Sequence, residues 1–269
     1  MTQWTVTTQN GVAELVLSNP PRNFLTFDGL AELGTLLSEL SGDPAVSVVV
    51  LRSDVDGYFV AHADLDELAR LSSGPVPEAR SWYATMRLIE TMPQPVIAAI
   101  DGQAWGGGIE LSLACTMRWA SRRAHFSFIE TALGIIPGAG GTQRLSRLIG
   151  RGPATDLVIT GARFDAARAF ELGIVSRVYA DGEFASVVRS EAAAVAKLPR
   201  TALIAAKAVL RDGMALPVSD ALRLEGSTFA QLLATDESTR LQAAARQRYA
   251  AAAPGEPVRF DGLGEGGAS

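Results

Sequence analysis

Three adjacent glycines between two apolar segments constrain the fold of this chain more than any other feature. Residues 95–100 are apolar, residues 106–108 are the glycines, and a second apolar segment starts at Leu111. This order predicts a strand, a tight turn and the start of a helix within about a dozen residues. The backbone N–H groups of such a turn are not covered by side chains and point beyond the helix N-terminus. They are therefore candidates for stabilising a polarised carbonyl group or an oxyanion.

Two patterns follow each other along the chain. In roughly the first 180 residues, strand-like segments such as 12–17 and 46–51 alternate with segments of helical spacing such as 27–40. From residue 152 onward the spacing is mainly helical and includes one long helix over 217–250. The other predicted helices cover 64–71, 79–92, 142–149, 153–160, 165–172, 183–197 and 200–212. This succession indicates an α/β core followed by a helical C-terminal region.

Composition and charge narrow the class of protein. The 269 residues are 48% hydrophobic and 20% charged, with a net charge of −5 and no block of Lys or Arg, so we expect no nucleic-acid partner. No apolar run approaches the roughly 18 residues of a membrane-spanning helix, so no membrane partner is expected either. Cys115 is the only cysteine, which favours the cytoplasm. His62 and His125 are too far apart to suggest a metal site.

Three short segments are candidates for a functional site. Residues 58–65 lead from a predicted strand into a helix and offer a second set of backbone amides, while residues 106–110 contain the glycines and Glu110. Residues 126–144 contain Glu130 and a second glycine-rich turn. Taken alone, Glu110 is typical of a helix surface and Glu130 of an ion pair at a strand end. The order and spacing of the three segments favour a catalytic role for both carboxylates.

These segments resemble those of the enoyl-CoA hydratase/isomerase (crotonase) superfamily over roughly residues 10–250. The resemblance implies a crotonase-like spiral of ββα units with a helical C-terminal region. It implies a spiral core over 1–195 and a helical trimerisation region over 196–253. We therefore expect a homotrimer or a dimer of trimers that binds an acyl-CoA thioester. The tail over 254–269 is rich in Gly and Pro, so we expect it to be mobile. The motifs that carry the resemblance are residues 19–21, 61–65, 106–110 and 134–145.

The resemblance also implies a reaction and the residues that perform it. The amides of Ala63 and Gly107 would hold the thioester oxygen, and losing one such donor typically costs about 10²–10³ in rate. Glu110 would activate the water that adds to the β-carbon, and Glu130 would deliver a proton to the α-carbon. The pair is expected to retain at least one proton near neutrality. The implied function is hydration of a trans-2-enoyl-CoA to a 3-hydroxyacyl-CoA.

Further residues are expected to contact the substrate. His62 stands where the family usually has glycine, and it either contacts CoA or, as we favour, hydrogen-bonds its own loop. Phe128 stands where the family often has a polar side chain and could narrow the acyl pocket. No cofactor is expected apart from the coenzyme A of the substrate. By resemblance, the substrate-binding residues are Ala61, His62, Asp64, Leu65, Gly106, Phe128, Pro137 and Gly138.

Two other functions remain open at this point. The same scaffold supports other enolate chemistry, such as isomerisation of an enoyl-CoA or decarboxylation of an acyl-CoA. Retention of both Glu110 and Glu130 favours hydration over these reactions. A non-catalytic CoA-binding subunit is a third hypothesis, which the unusual His62 leaves open.

Overall fold

The computed structural model describes residues 2–260 and 262–263. The chain forms two compact units, one ending at Ala193 and one starting at Ala194, and the boundary falls within a helix. The assignment of a spiral core and a trimerisation region to 1–195 and 196–253 stays a prediction. Residues 261 and 264–269 of the expected mobile tail lie outside the described residues.

The strands and helices are numbered in chain order. The strands are β1 (Trp4–Gln9), β2 (Val12–Leu17), β3 (Val48–Ser53), β4 (Tyr58–Val60), β5 (Val96–Ile100), β6 (Gln103–Trp105), β7 (Met117–Ser121), β8 (His125–Ser127), β9 (Phe164–Asp165) and β10 (Arg177–Tyr179). The helices of the first unit are α1 (Phe27–Ser41), α2 (Leu65–Ser72), α3 (Arg80–Thr91), α4 (Gly107–Ala114), α5 (Gly141–Ile149), α6 (Arg151–Thr160), α7 (Ala166–Glu171) and α8 (Phe184–Ala196), the last of which crosses the boundary. The second unit contains α9 (Arg200–Gly213), α10 (Val218–Leu233) and α11 (Asp236–Ala251).

From β3 to β8, consecutive strands of the first unit alternate between two sheets. Among the described residues, one sheet has the order β1-β2-β3-β5-β7-β10 and the other the order β4-β6-β8-β9. The pairs β3–β4, β5–β6 and β7–β8 each place their first strand in the larger sheet and their second in the smaller one. The strands that follow one another within each sheet in this part are parallel. The predicted ββα units are therefore confirmed.

The core of the first unit lies against the larger sheet. Every residue of β5 is buried, and so are the first four residues of β3, as expected for parallel strands covered on both faces. Helices α1 and α3 pack on one another. Cys115 is buried in this core.

Several elements differ from the sequence-based prediction. Strand β1 precedes the expected first strand; only Trp4 in it is buried, so the apolar alternation that marks a half-buried strand is missing. Strands β6 and β8 have three residues each, too few for a periodic pattern.

The prediction of a single helix over 217–250 is wrong, because helix α10 ends at Leu233 and a separate helix, α11, begins at Asp236. Thr235 lies at the break, and its hydroxyl accepts a hydrogen bond from the Ser238 amide at 3.2 Å. Threonine is a favourable N-cap residue, so a new helix starts here although the apolar spacing continues. None of the described helices is long and apolar enough to cross a membrane.

Candidate active site

The glycine turn joins β6 to α4 and places the start of the helix directly on β4. Gly106 has φ +48°, a backbone conformation that residues other than glycine rarely adopt. A Cβ atom at Gly108 would overlap the carbonyl oxygen of Val60. The first N–H groups of α4 are thereby brought beside the segment that follows β4.

That segment carries Ala63, whose amide faces the glycine turn. The Leu25 amide donates to the His62 carbonyl at 2.9 Å, and the Asp64 amide donates to the Leu25 carbonyl at 2.9 Å. In a parallel bridge bonded this way, the N–H of the intervening residue, Ala63, points to the opposite side. A Cβ atom at Gly107 would lie 3.4 Å from the Ala63 nitrogen. Within the described chain, the amides of Ala63 and Gly107 have no hydrogen-bond acceptor.

Glu110 lies in the first turn of α4 and is held by a distant turn. Its side chain is buried, with 2% of the residue exposed. Glu110 Oε1 accepts hydrogen bonds from the amides of Ala139 at 2.8 Å and Gly141 at 2.7 Å, so the carboxylate binds the N-terminus of α5. Burial raises the pKa of Glu110 to about 7, the charge of Glu130 adds to this rise, and the two amides oppose it. The group is therefore able to exchange protons near neutral pH.

Glu130 opens a short 3-10 helix after β8, and its environment differs from that of Glu110. It is also buried, at 6% exposed, but its Oε2 atom has no hydrogen-bond partner among the described residues. Burial raises the pKa of Glu130 above its ordinary value. A buried carboxyl oxygen without a partner favours the protonated form, because nothing compensates the lost hydration of the anion.

A half-open cavity of about 150 Å³ joins these groups. Both carboxylates and the two residues with free amides lie at its polar end, while helices α2 and α3 and the turn at 135–138 form its apolar sides. Trp82 packs edge-on against Phe27, with ring centroids 6.1 Å apart. The lining residues are Phe27, Ala63, Leu68, Leu71, Ala79, Trp82, Tyr83, Gly107, Glu110, Glu130, Ile135, Ile136 and Gly138.

Comparison with known proteins identifies the family. A family model described as enoyl-CoA hydratase/isomerase matches residues 7–251. The chain belongs to this family. The crystal structure of an enoyl-CoA hydratase from Bacillus anthracis is 33% identical in sequence and superposes with a TM-score of 0.86, covering 91% of this chain and 96% of that one. The predicted crotonase-like fold with a helical C-terminal region is thus confirmed.

Two curated relatives show the range of the family. The crotonyl-CoA hydratase of Syntrophomonas wolfei subsp. wolfei is 36% identical over 231 residues, or 84% of this chain and 88% of the relative. The mitochondrial methylglutaconyl-CoA hydratase of Rattus norvegicus is also 36% identical, over 80% of this chain and 70% of the relative. The chain is therefore equally similar to two enzymes whose names specify different acyl groups.

The structure brings some of the predicted site residues of this enoyl-CoA hydratase/isomerase family member to the cavity and leaves others outside its lining. Ala63, Gly107, Glu110, Glu130 and Gly138 line the cavity. The others have structural positions near it: Ala61 donates its amide to the Asn23 carbonyl, Asp64 caps α2, Leu65 is exposed, and Gly106 and Pro137 are buried in the two turns.

His62 hydrogen-bonds its own loop. Its Nδ1 atom donates to the carbonyl of Ala63 at 2.6 Å, and its ring lies 4.7 Å from the ring of Phe24. Among the described residues other than glycine, only Asn10 and Asn23 have a positive φ. His62 therefore does not adopt the left-handed backbone that would require glycine at this position. The favoured interpretation of His62 agrees with this geometry, and a contact with CoA stays a prediction.

Phe128 lies in the core, and its effect on the acyl pocket stays a prediction. Its side chain is fully buried in the hydrophobic core, and the residue is absent from the described lining of the cavity. An aromatic ring gains most free energy from complete burial, which this core position supplies.

Arg144 fixes the turn that holds Glu110, a role that its sequence motif does not predict. Arg144 donates from Nε and Nη2 to the two carboxylate oxygens of Glu90, at 2.6 and 3.0 Å, and from Nη1 to the Ala139 carbonyl at 2.5 Å. A Cβ atom at Gly140 would overlap the guanidinium group. Arg144 ends a motif visible in the sequence, but its partner Glu90 lies 54 residues away, so spacing alone does not reveal the pair.

Asn23 was missed for a similar reason. It is fully buried with φ +58°, and its Nδ2 atom donates to Ser53 Oγ and to the Phe59 carbonyl, both at 2.8 Å. These bonds fix the segment that pairs with Ala63. The sequence offers one local signal, an asparagine soon after two prolines, which is typical of a turn.

In the described part of the chain, no group of three or more His, Cys, Asp or Glu side chains is placed to hold a metal ion.

Proposed function

We propose that this chain adds water across the 2,3 double bond of a trans-2-enoyl-CoA to give a 3-hydroxyacyl-CoA. One observation carries the proposal: two buried carboxylates and two residues with unbonded amides line the same largely apolar cavity. Each component alone is common. Together they match the needs of a reaction that develops charge on one oxygen, takes a proton from water and delivers a proton to carbon.

The amides of Ala63 and Gly107 would bind the thioester oxygen. They lie on different elements, one after β4 and one at the start of α4, and each is held in place by the backbone around it. Donors that are already oriented stabilise an enolate oxygen more than the neutral carbonyl, because the charge grows as the reaction proceeds. The N-terminus of α4 adds a favourable field.

The different surroundings of the glutamates suggest their roles. Two amides bind one oxygen of Glu110, which supports its ionised form and leaves it able to take a proton from water. Glu130 has a buried oxygen without a partner, which supports its protonated form. As the water oxygen bonds to C3, Glu110 accepts a water proton and the electron pair of the double bond moves to the thioester oxygen. The enolate then takes the Glu130 proton at C2, and transfer of a proton from Glu110 to Glu130 restores both groups.

The test is hydration of crotonyl-CoA, followed by the loss of absorbance of the conjugated thioester and by identification of the product. We expect a 3-hydroxyacyl-CoA from the wild type and a loss of about 10²–10⁴ in kcat for Glu130→Gln. Glu171→Gln, which changes an exposed carboxylate, is the matched control. A 3-enoyl-CoA as the main product would instead support isomerisation, and binding of acyl-CoA without any turnover would support a non-catalytic subunit.

The sequence also leads to expectations about the cofactor, the cellular location and the oligomeric state of the protein. Coenzyme A enters as part of the substrate, and we propose no further cofactor. A cytoplasmic location and a homotrimer or dimer of trimers stay predictions. Fractionation of the cell and sedimentation of the purified protein would test them.

A further inference from the structure

We propose that the cavity accepts uncharged aliphatic enoyl groups and rejects enoyl groups with a distal carboxylate. This inference rests on the proposed hydratase function and specifies its substrate class. The question is open because the chain is 36% identical both to a crotonyl-CoA hydratase and to a methylglutaconyl-CoA hydratase. The first acyl group is a short hydrocarbon and the second ends in a carboxylate.

The sides of the cavity offer no partner for a carboxylate. We call the six larger side chains that form these sides the acyl wall, and no lysine, arginine or histidine belongs to the cavity lining that the structure describes. Arg70 on α2 is exposed and lies 4.0 Å from Glu78, outside the described lining. The acyl wall consists of Leu68, Leu71, Trp82, Tyr83, Ile135 and Ile136.

The ionisable side chains at the polar end would oppose a second anion. Glu110 and Glu130 line the cavity, and one of the two carboxyl groups is ionised in the proposed reaction. A substrate carboxylate would lose its hydration without gaining a hydrogen-bonded partner, and it would face the ionised member of this pair. Both effects weaken binding, and both act whether or not the chemical step occurs.

The outer edge of the acyl wall suits a hydrocarbon chain longer than that of crotonyl-CoA. Tyr83 is 67% exposed and Ile136 is 69% exposed although both line the cavity, and Leu71 is partly exposed beside them. An aliphatic chain that extends along these side chains removes apolar surface from water. Each added methylene then strengthens binding by up to roughly fourfold.

The decisive experiment compares two substrates that differ in one group. In trans-glutaconyl-CoA a carboxylate replaces the terminal ethyl group of trans-2-hexenoyl-CoA, and crotonyl-CoA serves as the reference. We expect kcat/KM for hexenoyl-CoA to exceed the reference by up to about tenfold. For glutaconyl-CoA we expect it to fall about 100-fold or more below that for hexenoyl-CoA. Values for these two substrates within about threefold would overturn the inference while leaving the hydratase function intact.

Binding of saturated analogues separates this inference from the proposed function. Calorimetry with hexanoyl-CoA and glutaryl-CoA requires no turnover, and we expect hexanoyl-CoA to bind at least about tenfold more tightly. Tighter binding of hexanoyl-CoA in a chain that hydrates nothing would support the selectivity and refute the hydratase function. Equal binding would refute the selectivity.

A charge introduced into the acyl wall provides a second test. Leu71→Lys places an ammonium group at a partly exposed position, and Leu71→Gln is the neutral control. We expect Leu71→Lys to raise kcat/KM for glutaconyl-CoA by about tenfold relative to Leu71→Gln, with a smaller gain at high salt. Circular dichroism and thermal unfolding would show that both variants fold. Equal activity of the two folded variants toward glutaconyl-CoA would contradict the assignment.

Discussion

The polar end of the cavity and the acyl wall are built in different ways. At the polar end, Glu110 and Glu130 are buried, and the backbone around the Ala63 and Gly107 amides is fixed by hydrogen bonds or close packing. In the acyl wall, helix α2 has no buried residue, and several lining side chains are exposed. A rigid end suits chemistry that needs fixed distances, whereas an exposed apolar side tolerates changes in shape. We therefore expect substitutions at the polar end to change kcat and substitutions in the acyl wall to change KM and substrate preference.

The largest expected effect is that of Gly107→Val at the polar end. A Cβ atom there would lie 3.0 Å from the indole ring of Trp82 and 3.4 Å from the Ala63 nitrogen, in the space needed by the thioester oxygen. We expect a loss of at least about 10³ in kcat, since removal of one oxyanion donor alone costs about 10²–10³. Steady-state hydration of crotonyl-CoA measures the loss, and circular dichroism shows whether the variant folds. A folded variant with wild-type rates would remove Gly107 from the site.

Arg144→Lys tests whether the fixed geometry at the polar end depends on the turn that binds Glu110. Lysine cannot bind Glu90 in two places and the Ala139 carbonyl at once, so the turn should loosen. The charge of Arg144 and the two turn amides lower the pKa of Glu110, so the variant should raise it. We expect about a 10–100-fold loss in kcat near neutrality and a shift of the acidic limb of the pH–rate profile to higher pH.

Arg147→Lys is the matched control for this prediction, because Arg147 is exposed on the same helix and, among the described residues, hydrogen-bonds Gln143 one turn earlier. It should leave both kcat and the pH profile close to those of the wild type. Equal effects of the two substitutions would mean that helix α5 acts through general stability and not through Glu110.

Local patterns in the sequence predict the residues at the polar end better than the long-range contacts that hold them in place. The glycines at 106–108 and the longer buried strands give signals within a few residues, so the turn, strands such as β3 and β5 and the two glutamates could be found. The pairing of Leu25 with Ala63 and of Glu90 with Arg144 depends on how distant segments meet, which no local pattern encodes. Which side chains of the acyl wall face the cavity follows only from the packing of α2, α3 and the turn at 135–138.

The raised pKa of Glu110 predicts that the polar end lowers stability at alkaline pH. Its pKa is about 7 in the folded chain against an ordinary 4.5, so between these values the folded state binds more protons than the unfolded state. Stability should therefore fall as pH rises through this window. In Glu110→Gln the amide oxygen can still accept hydrogen bonds from the turn. Above neutral pH, the free energy of unfolding of this variant should exceed that of the wild type by about 1–3 kcal/mol.

Urea denaturation at about pH 8 and about pH 5 measures this difference, which should shrink at the lower pH because both proteins then carry a neutral group. A variant that is less stable than the wild type at both pH values would show that the carboxylate stabilises the fold. The polar end would then not trade stability for activity.

The smallest effect is expected in the acyl wall. Leu71→Ala removes apolar contact with the distal part of an acyl chain at a partly exposed position, so the fold should be little affected. We expect the KM for trans-2-hexenoyl-CoA to rise about three- to fivefold, the KM for crotonyl-CoA to change less, and kcat to stay within about twofold for both. Because crotonyl-CoA has no distal methylenes, it serves as an internal control for the chemical step. A fall in kcat with both substrates would show that the acyl wall also fixes the reacting atoms, and the distinction between the two ends of the cavity would fail.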